Sequence, residues 1–578
     1  MAVKRMVTEM PFDGMTSTLN AQGTPPGRAH HLTNLIPEPG GGARTRPGYR
    51  DTAATYSGTW GTNARTQALA QFTTSGGTTY TIAVVAGVVY TLAFDGDVTS
   101  GTWTERVTQA QLSGASVTFS TTAKRTWWAV LNDQIVFTDG VNTPWMWDGT
   151  SGGGITDLTS CPVLYGRPVI HYGKVVGIKN TERSTIVWSE ENDPATGYET
   201  GGYNNAWTLS QTATDPLYSL LATNRGLYYF RDLGIGLITG AVTPDFQNAG
   251  VRDEISTSVG TRSTAGTLEH DGKIWFVSSI GQPWAIAGGQ LVPIWKDMAL
   301  SVAEEAVWKA ADYPSAYVTS GNQGDNTGWI GAFIESPASV QVEFNPVTGD
   351  VVFGAFGADH DFLLTPMYNF DPQSGRLRWV TQFFSTSAMH YFGPMATVKL
   401  TDGTKHYPTL MLAGRHTTTL SRVLWMSREA QYDEFDYDTT YDHPKAWVIT
   451  GRVPPDQEEV DLAFDELAMR VGANAAATDD VDIFAQLYTS NRPTAATAST
   501  IQSTNPDVVG TTTGSREQLR HIVFGFNQHG RWAAAYVLIA WADSGELTRS
   551  NITSRGQVTL GGLTLRYFVL SRGETALR

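Results

Sequence analysis

Cysteine is almost missing from this chain: Cys161 is the single one in 578 residues. That excludes intrachain disulfides and any metal centre built on several thiolates, and it suits folding in a reducing compartment. Cys161 stands between Ser160 and Pro162 with no nucleophile motif around it. Charge is scarce too, at 16% of residues against 41% hydrophobic, a balance that excludes a disordered chain. Basic residues are the rarer sign, 40 against 55 acidic, for a net charge of −15 without a basic cluster. Ordinary nucleic-acid binders gain affinity by neutralising phosphates, so this composition argues against one. It remains compatible with a wall past which DNA slides without sticking.

Long apolar runs are also lacking. The most apolar stretch, 83–94, is interrupted by Gly87 and Tyr90 and is too short to cross a bilayer as a helix. The first ten residues lack the apolar core of a secretory signal. A soluble chain with no membrane-spanning segment is expected. No phosphate-cradling Gly-rich motif, His-Glu-x-x-His pair or Gly-x-Ser-x-Gly elbow occurs. His30 and His31 are read as chance neighbours rather than metal ligands. No catalytic, cofactor-binding or metal residue is therefore assigned, and no cofactor is expected.

What is plentiful is glycine, 59 copies, together with 18 Trp, 22 Tyr and 23 Phe. Aromatic and β-branched residues punctuated by glycine favour strands and tight turns. The expected fold class is all-β. At this length more than one domain is expected. Residues 1–50 alternate proline with glycine and predict an extended N-terminal arm that grips a neighbour. From 51 to 430, short strands follow one another: 79–83, 88–94, 117–120, 126–131, 134–138, 169–172, 174–178, 185–189, 226–231, 235–239, 273–278 and 283–287. Turns such as Tyr172-Gly173 and Asp271-Gly272 join them into meanders.

Two internal echoes point to a β-propeller of six or seven blades. Tyr56-Ser-Gly-Thr-Trp60 returns as Thr99-Ser-Gly-Thr-Trp103 at a spacing of 43 residues, within the roughly 40–50 of a blade step. A strand leading to Pro144-Trp145 returns in the strand leading to Pro283-Trp284. Residues 295–311 carry apolar positions near helical spacing and predict one helix. The segment 429–442 holds six acids in fourteen residues; without the EF-hand pattern it reads as a solvated acidic loop. From 431 to 578 longer strands, at 467–471, 481–487, 521–526, 533–540, 557–560 and 563–570, predict a β-sandwich-like domain packed on or inserted into the propeller. A long loop is expected over 489–515.

The main enzyme alternative is a carbohydrate-binding or glycosidase-like propeller, because such enzymes pair carboxylates across a sugar-binding centre. Asp139 and Asp148, bracketing Trp145 and Trp147, are the nearest candidate pair. The Ser-x-Asp-x-Gly-x-x-Trp boxes of sialidase-like propellers are matched only by 97–103, in the wrong order and spacing.

The beginning of the chain resembles that of tail hub or nozzle proteins of short-tailed bacteriophages. The resemblance is carried by Met10-Pro-Phe-Asp-Gly14, by Asn34-Leu-Ile-Pro-Glu-Pro-Gly40 and by Gly42-Ala-Arg-Thr-Arg-Pro-Gly-Tyr49. The stretches 137–149 and 187–194 add to it. It implies a non-enzymatic structural protein of the virion tail, made in the host cytoplasm. It also implies a homo-oligomeric ring, commonly a hexamer, below the portal and its adaptor, with tail fibre or tail needle proteins attached. Such a ring retains packaged genomic DNA and passes it through its lumen at infection, without specific binding.

Overall fold

The computed structural model describes residues 5–10, 28–38, 41–58, 60, 65–96, 101–199, 204–209, 215–242, 251–294, 337–355, 367–381, 389–416, 420–428, 433–436, 440–442, 446–450, 462–473, 481–492, 495–498, 502–504, 520–541 and 558–569. Strands dominate them, and the fold is all-β as expected. Seven small antiparallel meanders follow one another as the blades of a propeller. They span 55–107, 127–157, 164–208, 217–256, 267–293, 340–381 and 389–426, and are called blades 1 to 7. The inner strand of each, which is its first except in blade 1, where it is Thr66–Thr73, neighbours the inner strand of the next, and that of blade 7 returns to that of blade 1. The ring is closed.

Local chemistry explains the meanders. The predicted turns Tyr172-Gly173 and Asp271-Gly272 each carry two consecutive positive φ values, the twist that two-residue hairpins need. Trp145 and Trp284 occupy equivalent third strands in blades 2 and 5, so that echo is a true blade correspondence. The 43-residue echo is not. Tyr56 pairs with Trp103 at the outer edge of blade 1, and the Trp60 and Trp103 rings pack 5.4 Å apart. Both copies belong to a single blade. The stretch 117–120 is not a strand either: Val117 and Phe119 bury their side chains from an irregular segment after the short helix Gln109–Gly114. The helix predicted over 295–311 lies outside the described residues.

Hydrophobic clusters sit between blades. Leu69, Tyr90 and Trp103 of blade 1 meet Val398, Met411 and Trp425 of blade 7. Val176, Ile186 and Trp188 of blade 3 meet Leu220, Leu227 and Tyr229 of blade 4. Each contact stabilises only a pair of neighbours, at about 25 cal/mol per Å² of apolar area removed from water.

The beginning of the chain departs from expectation. Residues 1–4 and 11–27 lie outside the described set, but the rest of 1–50 is not a free arm. Tyr49–Asp51 is the outer strand of blade 7, pairing with Leu424, Trp425 and Met426, and so fastens the ring. Ala29–Thr33 lies between Arg376–Thr381 of blade 6 and Ala446–Thr450. That makes blade 6 continuous with a ten-stranded sheet that runs on through Trp532–Trp541 and Val481–Arg492. A second sheet joins Arg5–Met10, Leu563–Val569, Leu462–Ala473, Val558–Leu560, Ala43–Thr45 and Leu35–Pro37, with Arg520–Gly530 on the far side of Leu462–Ala473. Phe464, Leu467 and Phe524 of this sheet share one core with Ile483, Val537 and Ile539 of the other. The two sheets form the sandwich, and strands from before residue 46 belong to it. The propeller is thus inserted into the sandwich, where a sandwich of 431–578 alone, packed on or inserted into the propeller, was expected. Part of the loop expected over 489–515 is also strand: Ala495–Ala498 and Gln502–Thr504 fold back on Val481–Arg492.

Candidate functional site at the propeller axis

A four-stranded antiparallel meander returns the chain to the side it started from, so consecutive inner strands run in the same direction. The parallel bridge Ala265–Gln341 between the starts of blades 5 and 6 shows this directly. The beginnings of the inner strands therefore gather at one mouth of the axis. Here the sequence places Arg125, Trp127 and Trp128 in blade 2, Tyr165 and Arg167 in blade 3, Tyr218 in blade 4 and Glu343 in blade 6. All are half-buried.

Arg167 is aimed by a distortion of its strand. Pairing shifts between Tyr165–Ile178 and Val169–Val176, so Gly166, Arg167 and Pro168 stand opposite the single residue Gly177. Pro168 has no N–H to lose in such a bulge. Gly166 has φ +72°, and a Cβ there would lie 3.1 Å from Thr264 Cγ2 and 3.3 Å from the Tyr218 carbonyl oxygen. Only glycine meets both demands. The Arg167 guanidinium sits 5.5 Å from the centre of the Trp128 ring. Trp128 is itself fixed, its Nε1 donating to the Leu69 carbonyl of blade 1 at 2.8 Å.

Glu343 faces this pair from blade 6. Its carboxylate accepts from Gln341 Nε2 at 3.3 Å and lies 3.2 Å from Thr397 Oγ1 of blade 7, whose hydroxyl also donates to the Phe344 carbonyl at 2.5 Å. Gln341 is clamped in turn, donating to the Met395 carbonyl at 2.6 Å and accepting from Met395 N at 3.0 Å. Burial raises the proton affinity of Glu343 above the usual carboxylate range, against the attraction of Arg167 and the two hydrogen bonds. Arg125 reaches from the entry to blade 2 to the Ser339 carbonyl at the entry to blade 6, Nη2 to O 3.1 Å. Blades 1 and 7 separate those two entries on the shorter way round, so this side chain crosses the axis. Beside it Arg183 is sandwiched between Tyr165 and Tyr218, at 3.8 and 4.2 Å from their ring centres. The Arg167 guanidinium and the Glu343 carboxyl thus face each other near several aromatic rings, with Arg125 and Arg183 on segments of the same end of the propeller. Such a site can hold an anion or stack a planar group.

The sequence reading did not pick out these residues. Its third-blade strand began at Val169, just past the bulge. The available signal was Gly166-Arg167-Pro168 inside an otherwise apolar run.

The carboxylates it did consider are turn formers. Asp139 accepts from the backbone N–H groups of Ser120, Val141 and Asn142 and from Asn142 Nδ2, all at 2.7–2.9 Å. Asp148 accepts from Thr150 N at 2.8 Å. Trp145 and Trp147 are fully buried against Phe119, Phe137 and Phe72, with no face on which a sugar could stack. Cys161 is buried, and burial pushes its thiol well above the ordinary range, away from a reactive thiolate.

His30 and His31 fall in the strand Ala29–Thr33. In the acidic segment, Asp433 is not solvated. It is fully buried in a bidentate pair with Arg46, at 2.8 and 2.6 Å. Among the described residues no group of three or more His, Cys, Asp or Glu could hold a metal ion, and no helix is long and apolar enough to cross a membrane.

No protein-family model matches the sequence, and no curated protein matches it. Solved structures with partial likeness include apo AztD from Citrobacter koseri, 11% identical, covering 61% of this chain and 86% of that one at a TM-score of 0.29. Hsv2 from Kluyvelomyces marxianus is 5% identical, covering 56% and 91% at 0.26. A glycoside hydrolase is 10% identical, covering 86% and 97% at 0.24. Likenesses this weak carry no argument about site or activity, and the propeller stands on the chain's own seven sheets.

Proposed function

We propose that this chain is a structural subunit of the tail hub or nozzle of a short-tailed bacteriophage. In this reading copies form a ring, commonly of six, below the portal and adaptor. The ring retains packaged DNA, passes it at infection and carries tail fibre or needle proteins. The resemblance at the start of the chain motivates the reading, and the net charge of −15 suits a lumen that does not hold phosphates. The observation that carries its geometry is the crossing of the propeller axis by Arg125 and its Ser339 partner. A duplex does not fit where one side chain bridges opposite blades. Any DNA passage must then be walled by the outer surfaces of several copies. Continuity of blade 6 with the sandwich makes each copy a stiff two-lobed block suited to such a wall.

Native mass measurement and negative-stain imaging of the purified protein test this. A closed ring with a central opening wide enough for a duplex is expected, with lumen-facing side chains net acidic. A protein that stays monomeric at high concentration, or a lumen dominated by Lys and Arg, overturns it.

A carbohydrate-binding or sugar-cleaving propeller is the second reading, favoured by one observation: Glu343 has the raised proton affinity that general acids use. Its recorded neighbours are Gln341, Thr397 and Arg167, none of them the second carboxylate that such chemistry commonly needs. Turnover of a bacterial surface polysaccharide that vanishes in E343Q would establish this reading. No turnover across a broad panel removes its enzymatic form.

A further inference from the structure

We propose that the axial mouth of the propeller is a binding site for a small oxyanion, a carboxylate or phosphate group, taken in the plane of the Arg167 guanidinium. The argument begins with how the other arginines are used. Arg46 pairs with Asp433, Arg231 with Asp215 and Glu254, Arg262 with Asp232, and Arg566 with Glu466. Acids outnumber bases in this chain, and these cations have found one. Arg167 has not: among the described residues none accepts a hydrogen bond from it. Glu343, the acid that faces it, has one oxygen accepting from Gln341 and the other 3.2 Å from the Thr397 hydroxyl instead.

The position is also built. A bulge, a glycine at positive φ and a proline hold Arg167 out of the sheet. Its guanidinium carbon lies over the Trp128 ring, 5.5 Å from the centre, and the Trp128 N–H is itself committed to Leu69. A guanidinium stacked on a ring keeps its edge nitrogens for in-plane hydrogen bonds, the geometry that matches a carboxylate or phosphate. Arg125 adds positive charge at the same mouth, and Arg183 does so beside the Asp232 carboxylate on which it acts. The crossing of the axis by Arg125 limits the ligand to a small one. None of this depends on whether copies of the chain assemble into a ring.

The test titrates the full chain with inorganic phosphate and, separately, with D-glucuronate, each against sodium chloride at equal ionic strength. Calorimetry and thermal melting are the readouts. Saturable binding of at least one probe is expected; which one binds decides between phosphate and carboxylate. R167M should weaken that binding at least tenfold, while R225M, in the exposed turn at the opposite end of the inner strand of blade 4, should leave it unchanged. E343Q removes the negative charge that faces Arg167 and should tighten binding, an arm that stands even if R167M fails to fold. Absence of saturable binding with either probe, equal binding by R167M and the parent protein, or weaker binding by E343Q each overturns the proposal.

Discussion

At the residue scale the buried pair of Arg46 and Asp433 is the most consequential contact. Further bonds hold it: Arg46 Nε donates to Asn34 Oδ1 and Nη1 to the Pro47 carbonyl, both at 2.9 Å, while Asp433 Oδ1 also accepts from Tyr49 N. Removing one partner leaves a bare charge in a dry interior. D433A is expected to lose about 3–5 kcal/mol in chemical denaturation, whereas the double variant R46M/D433L should regain most of it. The sequence could not announce this pair. Its halves stand 387 positions apart, and Asp433 is one acid among several in a run that looks solvated.

Histidines give a second prediction at this scale. Burial lowers the proton affinity of His171, whose Nε2 lies 2.8 Å from the Gly240 carbonyl, and of His270, which stacks on Phe344. Between their lowered values and the ordinary value of about 6.5, the unfolded chain binds more protons than the folded one. The stability they allow is therefore present above that range and lost as pH falls through it. Melting temperature should drop on acidification below about pH 6.5, and H171Q with H270Q should flatten the slope.

Single elements differ in how openly they are written. Hairpins of blades 2 to 5 were legible to within a few residues, because turn glycines and alternating apolar residues are local signals. Strands such as Leu35–Pro37 and Ala43–Thr45 were not. Three residues between prolines and glycines show no periodicity, and only a distant partner makes them strands. The bulge at Gly166 was hidden for a related reason, since a register shift exists only relative to the neighbouring strand. It can be tested directly. G166A forces a side chain into the left-handed region, at about 1–2 kcal/mol, and into contact with Thr264 and the Tyr218 carbonyl. A lower melting temperature is expected, with the Arg167 side chain displaced from Trp128 in a crystal structure of the variant.

For the molecule as a whole, all-β class, propeller and sandwich could be read from strand density and spacing. The way the two parts are threaded could not, because it is decided by strands from the beginning of the chain. Deleting residues 1–42 removes Arg5–Met10, Ala29–Thr33 and Leu35–Pro37 from both sandwich sheets and separates blade 6 from the ten-stranded sheet. The closing strand Tyr49–Asp51 survives. Limited proteolysis of that variant should cut first within 446–569 and leave a resistant fragment spanning the blades. A variant as resistant there as the parent would mean that the early strands do not hold the sandwich.

The same threading bears on synthesis at the ribosome. Thr8 must wait for Tyr567, 559 residues later, before its strand has a neighbour. Blade 7 must likewise be translated before Tyr49–Asp51 finds its place. Throughout elongation the nascent chain therefore carries strands whose hydrogen-bonding edges are unpaired, the condition under which chains on one messenger can pair with each other. Codon choice and chaperone supply should thus govern the yield of this protein more than the stability of its finished blades.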